Sequence, residues 1–117
     1  GCGRIFEGTY EQMFSSINKI KKLPKATKIY CGHEYTFKNA KFCLEHDVEN
    51  TNLKNKFKKI KELRSKNLPT IPTTLEDELK CNIFLRCNEN ELKAKLDMNK
   101  LKDSDVFKKI RDLKDRF

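Results

Sequence analysis

The apolar residues of this chain keep helical spacing on both sides of one short strand-like stretch. Thr27-Lys28-Ile29-Tyr30-Cys31 is short, β-branched and aromatic and stops at Gly32, so it reads as a strand that delivers His33-Glu34 to its end. From about Tyr35 onward the apolar positions recur only at helical intervals. This pattern predicts the end of a mixed α/β unit over residues 1 to 34, a junction near Glu34 to Tyr35, and a mainly α domain over residues 35 to 117.

The individual elements follow from local chemistry. Gly1 to Gly8 holds three of the four glycines and reads as a loop. Thr9 and Gln12 form a capping-box pair, and Tyr10, Met13, Phe14, Ile17 and Ile20 repeat at helical spacing up to Pro24, which predicts a helix from about 9 to 22. Helical patterns return at about 35 to 47 and 51 to 66, the second with Leu53, Phe57, Ile60 and Leu63 as its buried stripe, and the two suit an antiparallel hairpin. Pro69 and Pro72 make 68 to 74 an extended connector, with a helix cap at Thr73 or Thr74. A helical turn near 75 to 79 and a weak helix around 89 to 96 precede the closing helix. That helix should be capped by Asp103 or Ser104 and carry Val106, Ile110, Leu113 and Phe117 along one face.

A chain of 117 residues that is 37% hydrophobic builds a modest core and gains from a partner segment. It opens inside a glycine turn without an initiator methionine, and the expectation is that the protein begins upstream. No run of about eighteen apolar residues occurs, and the first residues lack the layout of a signal peptide, so a non-membrane, cytoplasmic protein is expected. Five cysteines at irregular spacing, with no Cys-x-x-Cys, indicate neither a disulfide framework nor a zinc knuckle, and a reducing compartment fits. The net charge of +9 admits nucleic acid or another polyanion as partner. Lysines and acids interleave along the helices, however, which suits a solvated face and makes nucleic acid a poor expectation. A non-catalytic helical interaction or polyanion-binding module stands as the alternative reading, with affinity that falls steeply in salt.

The most informative hexapeptide is Cys31-Gly32-His33-Glu34-Tyr35-Thr36, which gathers an imidazole, a carboxylate and a phenol at a strand end. Cys31 and His33 alone close no tetrahedral metal site. His46 lies between Glu45 and Asp47 on a polar stretch and reads as surface. No pattern sets a cysteine beside a base that would make it a catalytic nucleophile. Arg111 and Lys114 lie three apart on the closing helix, so their heads can project to one side and suit a ligand with carboxylates, although spacing alone favours a solvated face.

Three segments in order resemble successive motifs of glyoxalase II, the hydroxyacylglutathione hydrolases. They are Gly1-Cys2-Gly3-Arg4-Ile5-Phe6-Glu7-Gly8-Thr9, Cys31 to Thr36, and Pro69-Thr70-Ile71-Pro72-Thr73-Thr74-Leu75 with Glu78 and Asn82-Ile83-Phe84-Leu85-Arg86. The resemblance implies the C-terminal helical domain of such an enzyme, preceded by the last helix and strand of a metallo-β-lactamase αββα domain. It further implies hydrolysis of S-D-lactoylglutathione to D-lactate and glutathione by an intact protein with two divalent metals, zinc, iron or manganese. Most ligands of those metals lie upstream in the family, so only His33 matches one and the chain alone is expected to be inactive. The resemblance assigns Arg4, Tyr35, Arg111 and Lys114 to the glutathione moiety, whose two carboxylates suit cations. Two departures stand out: Phe6 replaces a frequent ligand-binding tyrosine, and Ile83 replaces a proline. Strand 27 to 31 would expose sheet edges by itself, so association with the missing N-terminal portion, or an oligomer, is expected.

Overall fold

A computed structural model describes all 117 residues, Gly1–Phe117. It is mainly helical. Helix α1 spans Tyr10–Lys21, α2 Thr36–His46, α3 Thr51–Ser65, α4 Leu75–Cys81, α5 Asn90–Lys95 and α6 Asp103–Asp115. A 3-10 turn at Ile83–Leu85 and two very short strands, β1 (Lys28–Ile29) and β2 (Thr73–Thr74), complete the chain. None of the helices is long and apolar enough to cross a membrane.

The capping box at α1 forms as the sequence dictates. The Thr9 hydroxyl accepts from the Gln12 amide at 3.1 Å, and the Gln12 side chain accepts from the Thr9 amide at 2.8 Å. Thr74 caps α4 through the Asp77 amide at 3.2 Å, and Asn50 caps α3 through the Leu53 amide at 3.0 Å.

Three expectations are corrected. The strand expected over 27 to 31 keeps only Lys28–Ile29 as strand. It pairs antiparallel with β2, so the extended connector itself supplies a partner for one of its edges. Helix α6 has Lys102 at its N-cap without a side-chain hydrogen bond, because the Asp103 carboxylate is taken by Lys93 at 2.6 Å. Phe117 lies beyond the end of α6, where it is half exposed and meets the Phe42 ring edge-on with centroids 5.5 Å apart.

The core is threaded by aromatic rings. Phe42 on α2 stacks with Phe84 of the 3-10 turn at 6.1 Å, Phe84 meets Phe107 on α6 edge-on at 5.7 Å, and Phe107 meets Phe14 on α1 at 5.5 Å. Such pairs contribute about 0.5–1.5 kcal/mol each beyond the area they bury. The row connects α1, the 3-10 turn, α2 and α6, while Leu53, Leu75, Leu92 and Ile110 fill the space around it.

Segment 1 to 34 is fastened to the remainder by polar bonds as well. The Leu75 amide donates to the Thr27 carbonyl at 2.8 Å, and the Glu76 amide to the Lys25 carbonyl at 3.0 Å, extending the β1–β2 contact into the start of α4. The Tyr10 hydroxyl meets Asp112 on α6 at 2.6 Å. Between α2 and α3 Asp47, almost fully buried, accepts from Arg86 and, at 2.8 Å, from the Asn50 amide group, which closes off the α2–α3 turn.

Candidate functional site

A cavity of about 640 Å3 opens between the N-terminal loop, α1, the residues after β1 and the last turns of α6. Its wall includes Arg4, His33, Tyr35, Arg111 and Lys114, so all five residues singled out in the sequence converge on one space. Ile17, Ile20 and Ile29 give it an apolar side. Apolar walls with a few convergent polar groups are the usual makeup of a small-molecule site.

The loop reaches this position through Gly3, whose φ of 60° lies in the left-handed region and whose added Cβ would stand 3.1 Å from the Met13 side chain. The turn leaves Arg4 and Phe6 exposed, Phe6 at 86%.

After β1 the chain alternates sides. His33 and Tyr35 line the cavity and stack with ring centroids 4.9 Å apart and planes 5° from parallel. Glu34 between them points elsewhere and locks onto the connector: its carboxylate accepts from the Thr70 amide at 2.6 Å and from the Thr70 hydroxyl at 2.7 Å. Desolvation works against its charge, yet these bonds, helped by Arg64 and Thr36, more than offset it and hold the Glu34 carboxyl below its ordinary pKa. The carboxylate thus anchors the segment that presents the imidazole and the phenol.

The two cations of α6 are not equivalent, which corrects the picture of two heads projecting alike beside the apolar stripe. Arg111 is only 1% exposed. It donates to the Cys2 carbonyl at 2.6 Å, pairs with Asp115 at 3.0 Å and lies 4.8 Å from the centre of the Phe84 ring. Lys114 is half-buried, with its ammonium 5.9 Å from the Phe42 ring centre and 5.8 Å from that of Phe117. Arg111 braces the loop that forms the cavity wall, whereas Lys114 keeps a looser, aromatic-seated charge.

Glu78 and Asn82 also line the cavity, although the sequence reading gave them no part in a site. Asn82 donates to Glu78 at 2.8 Å and to the Gly1 carbonyl at 3.0 Å, and Lys56 faces Glu78 at 3.4 Å. Their spacing of four on and just past α4 was the available signal. His46, read as surface, is half-buried with its ring 4.8 Å from that of Phe42, outside the cavity.

A two-metal centre needs a dense set of imidazoles and carboxylates. No three His, Cys, Asp or Glu side chains of these 117 residues are grouped to hold an ion, and His33 is exposed with Tyr35 against its ring. The residues present therefore do not make a metal site by themselves.

A helical domain with a cation-bearing, aromatic-walled cavity, closed on one side by a glycine loop, is the class of protein these features define. The family model described as hydroxyacylglutathione hydrolase C-terminus matches residues 34–117. Over all of this chain, the hydroxyacylglutathione hydrolase of Pelagibacter ubique is 56% identical, that of Chelativorans sp. 48% and that of Mesorhizobium japonicum 47%. The chain belongs to the hydroxyacylglutathione hydrolase family, and it spans 43% to 46% of the length of these relatives, so it corresponds to their C-terminal portion.

Proposed function

We propose that this chain is the glutathione-binding part of a hydroxyacylglutathione hydrolase, in which water cleaves the thioester of S-D-lactoylglutathione to give D-lactate and glutathione. The observation that carries this reading is the convergence of Arg4, Tyr35, Arg111 and Lys114 on one cavity in a chain with these relatives. Arg4 and Lys114 attract the two carboxylates of the glutathione moiety, the Tyr35 hydroxyl donates to it, and Arg111 holds the loop in register. Orienting the glutathione portion places the thioester carbonyl next to His33, at the edge of the space that the remaining portion of the protein completes.

Under this reading residues 1 to 34 are the end of the hydrolase domain and residues 35 to 117 the ligand-binding domain. Two divalent metals, zinc, iron or manganese, would belong to the intact cytoplasmic enzyme and would supply an activated water there; His33 would contribute a single ligand and would not retain them alone.

The test uses the full-length protein carrying this sequence. Lys114→Ala and Arg4→Ala raise KM for S-D-lactoylglutathione with a smaller change in kcat. An unchanged KM in both variants would remove the assignment. The isolated 117 residues bind S-methylglutathione, a thioether analogue, and do not hydrolyse S-D-lactoylglutathione; turnover of that thioester by the chain would refute the division of labour.

A further inference from the structure

Basic and acidic residues balance along α6, which carries four of each, but they do not along α3. Helix α3 has six basic residues against one acid, a net of +5 within 15 positions of a chain whose whole net charge is +9. The solvated face expected from interleaved charges therefore does not extend to it. Two of the six are engaged: Lys56 donates to Thr73 at 2.8 Å and faces Glu78 at 3.4 Å, and Arg64 donates to the Leu68 carbonyl at 2.9 Å. Lys54, Lys58, Lys59 and Lys61 are exposed and form no ion pair, while the single acid, Glu62, is matched by Lys66 at 3.3 Å.

Lys54, Lys58 and Lys61 follow at steps of four and three, so they share one side of α3. Beside them the Phe57 ring stacks on Phe37 of α2 with centroids 5.4 Å apart. Lys61 lies over Phe57 at 5.6 Å and Lys41 over Phe37 at 5.0 Å, so the ring pair holds one ammonium on each side of the seam between the helices. Lys38, three positions before Lys41, is exposed as well. The one acid of α2, Glu45, stands a turn beyond Lys41 and forms no ion pair. Five unpaired ammonium groups, those of Lys38, Lys41, Lys54, Lys58 and Lys61, thus lie on the α2–α3 hairpin, and none of the five lines the large cavity.

We propose that this part of the hairpin holds a single-stranded nucleic acid by its phosphates, whatever its base sequence. Charge complementarity selects a polyanion, and the makeup of the patch selects which one. A protein partner needs an apolar or aromatic centre to its interface, and a membrane surface needs apolar side chains to insert. None of the exposed large hydrophobics of the chain lies on α2 or α3. Phe37 and Phe57 are half-buried and turned to each other and to the lysines above them. Lysine offers compact point charges to phosphate oxygens, and the five provide no planar fork or amide to read a base edge. Helix axes stand about 8–10 Å apart in such pairs, a span that a flexible strand can follow from one row of lysines to the other.

The test titrates the full-length protein carrying this sequence into labelled single-stranded RNA of two unrelated sequences and reads fluorescence anisotropy. Both should bind alike, with affinity falling about 100-fold between about 50 and 200 mM salt as five phosphates give up their counterions. Lys54→Glu, Lys58→Glu and Lys61→Glu combined should weaken binding by about tenfold or more with the circular dichroism unchanged. Lys100→Glu, Lys102→Glu and Lys109→Glu combined alter charge equally at other exposed positions and should weaken it far less. Equal losses in the two triple variants would reduce the binding to bulk charge and overturn the patch, as would affinity indifferent to salt. If the first variant does not fold, acetylation of the wild type with and without RNA reads the same point. Bound RNA should shield Lys54, Lys58 and Lys61 but not Lys100, and even labelling of all four overturns the proposal. Vesicles of anionic lipid that shield those three lysines where RNA does not would give the face to a membrane instead.

Discussion

Arg111 and Cys2, 109 positions apart, are joined by a guanidinium-to-carbonyl hydrogen bond of 2.6 Å. The bond satisfies a carbonyl in a loop too short to satisfy itself, and it brings a cation to the wall of the cavity without leaving it bare. One side chain thus serves both the packing of the loop and the field inside the cavity.

Removing that donor leaves the Cys2 carbonyl buried without a partner. Arg111→Met should lower stability by about 1–3 kcal/mol. Arg111→Lys should recover only part of this loss, because an ammonium cannot hold the carbonyl and Asp115 in one planar fork. Urea unfolding of the three proteins measures it, and a midpoint for Arg111→Met equal to the wild type would contradict the role.

Acid should loosen the segment after β1. Glu34 has a lowered pKa in the folded protein, so its contribution is complete above the ordinary carboxylate range and is lost as pH falls through the depressed folded value. Glu34→Gln should therefore be less stable than the wild type at neutral pH, and the gap should close in acid. Unfolding curves at several pH values decide the matter; a gap that widens on acidification has the wrong sign for this account.

Phe6 sits exposed at the cavity rim and carries no hydroxyl. Phe6→Tyr should leave stability unchanged and tighten binding of S-methylglutathione by about 0.5–1.5 kcal/mol, the net worth of one hydrogen bond. Calorimetric titration of both proteins reads this directly, and weaker binding by the tyrosine variant would place the ligand elsewhere.

The cap of α1 offers a purely local test. Thr9→Ala breaks the acceptor for the Gln12 amide and should cost about 1 kcal/mol, visible as a lower thermal midpoint. Thr9→Ser should restore most of it.

What was legible in the sequence is what local chemistry decides. The bounds of α1 and α3, the cap at Thr74 and the extended connector all follow from spacing, capping residues and prolines within a few positions of one another. The pairing of Lys28–Ile29 with Thr73–Thr74 was not legible, because a two-residue ladder is set by where the connector lands and not by its composition. Asp103 looked like a cap and became the partner of Lys93, ten positions earlier, since a tertiary ion pair outbid a local bond. That Arg4, His33, Tyr35, Arg111 and Lys114 belong together was suggested by the family's motifs, and the fold lines one cavity with all five; spacing alone left Arg111 and Lys114 as ordinary surface. That Arg111 is covered depends on Phe84 and the Cys2 carbonyl, which no helical periodicity reports.

The small β1–β2 ladder and the bonds from Leu75 to Thr27 and Glu76 to Lys25 cross the junction expected near residue 34. Tyr10 to Asp112 and Arg111 to Cys2 cross it again, onto α6. A boundary drawn along the sequence is therefore a seam in space, stitched in several places. Heat should open the two sides in one cooperative transition, and a cut there would yield pieces that each carry half of every stitch.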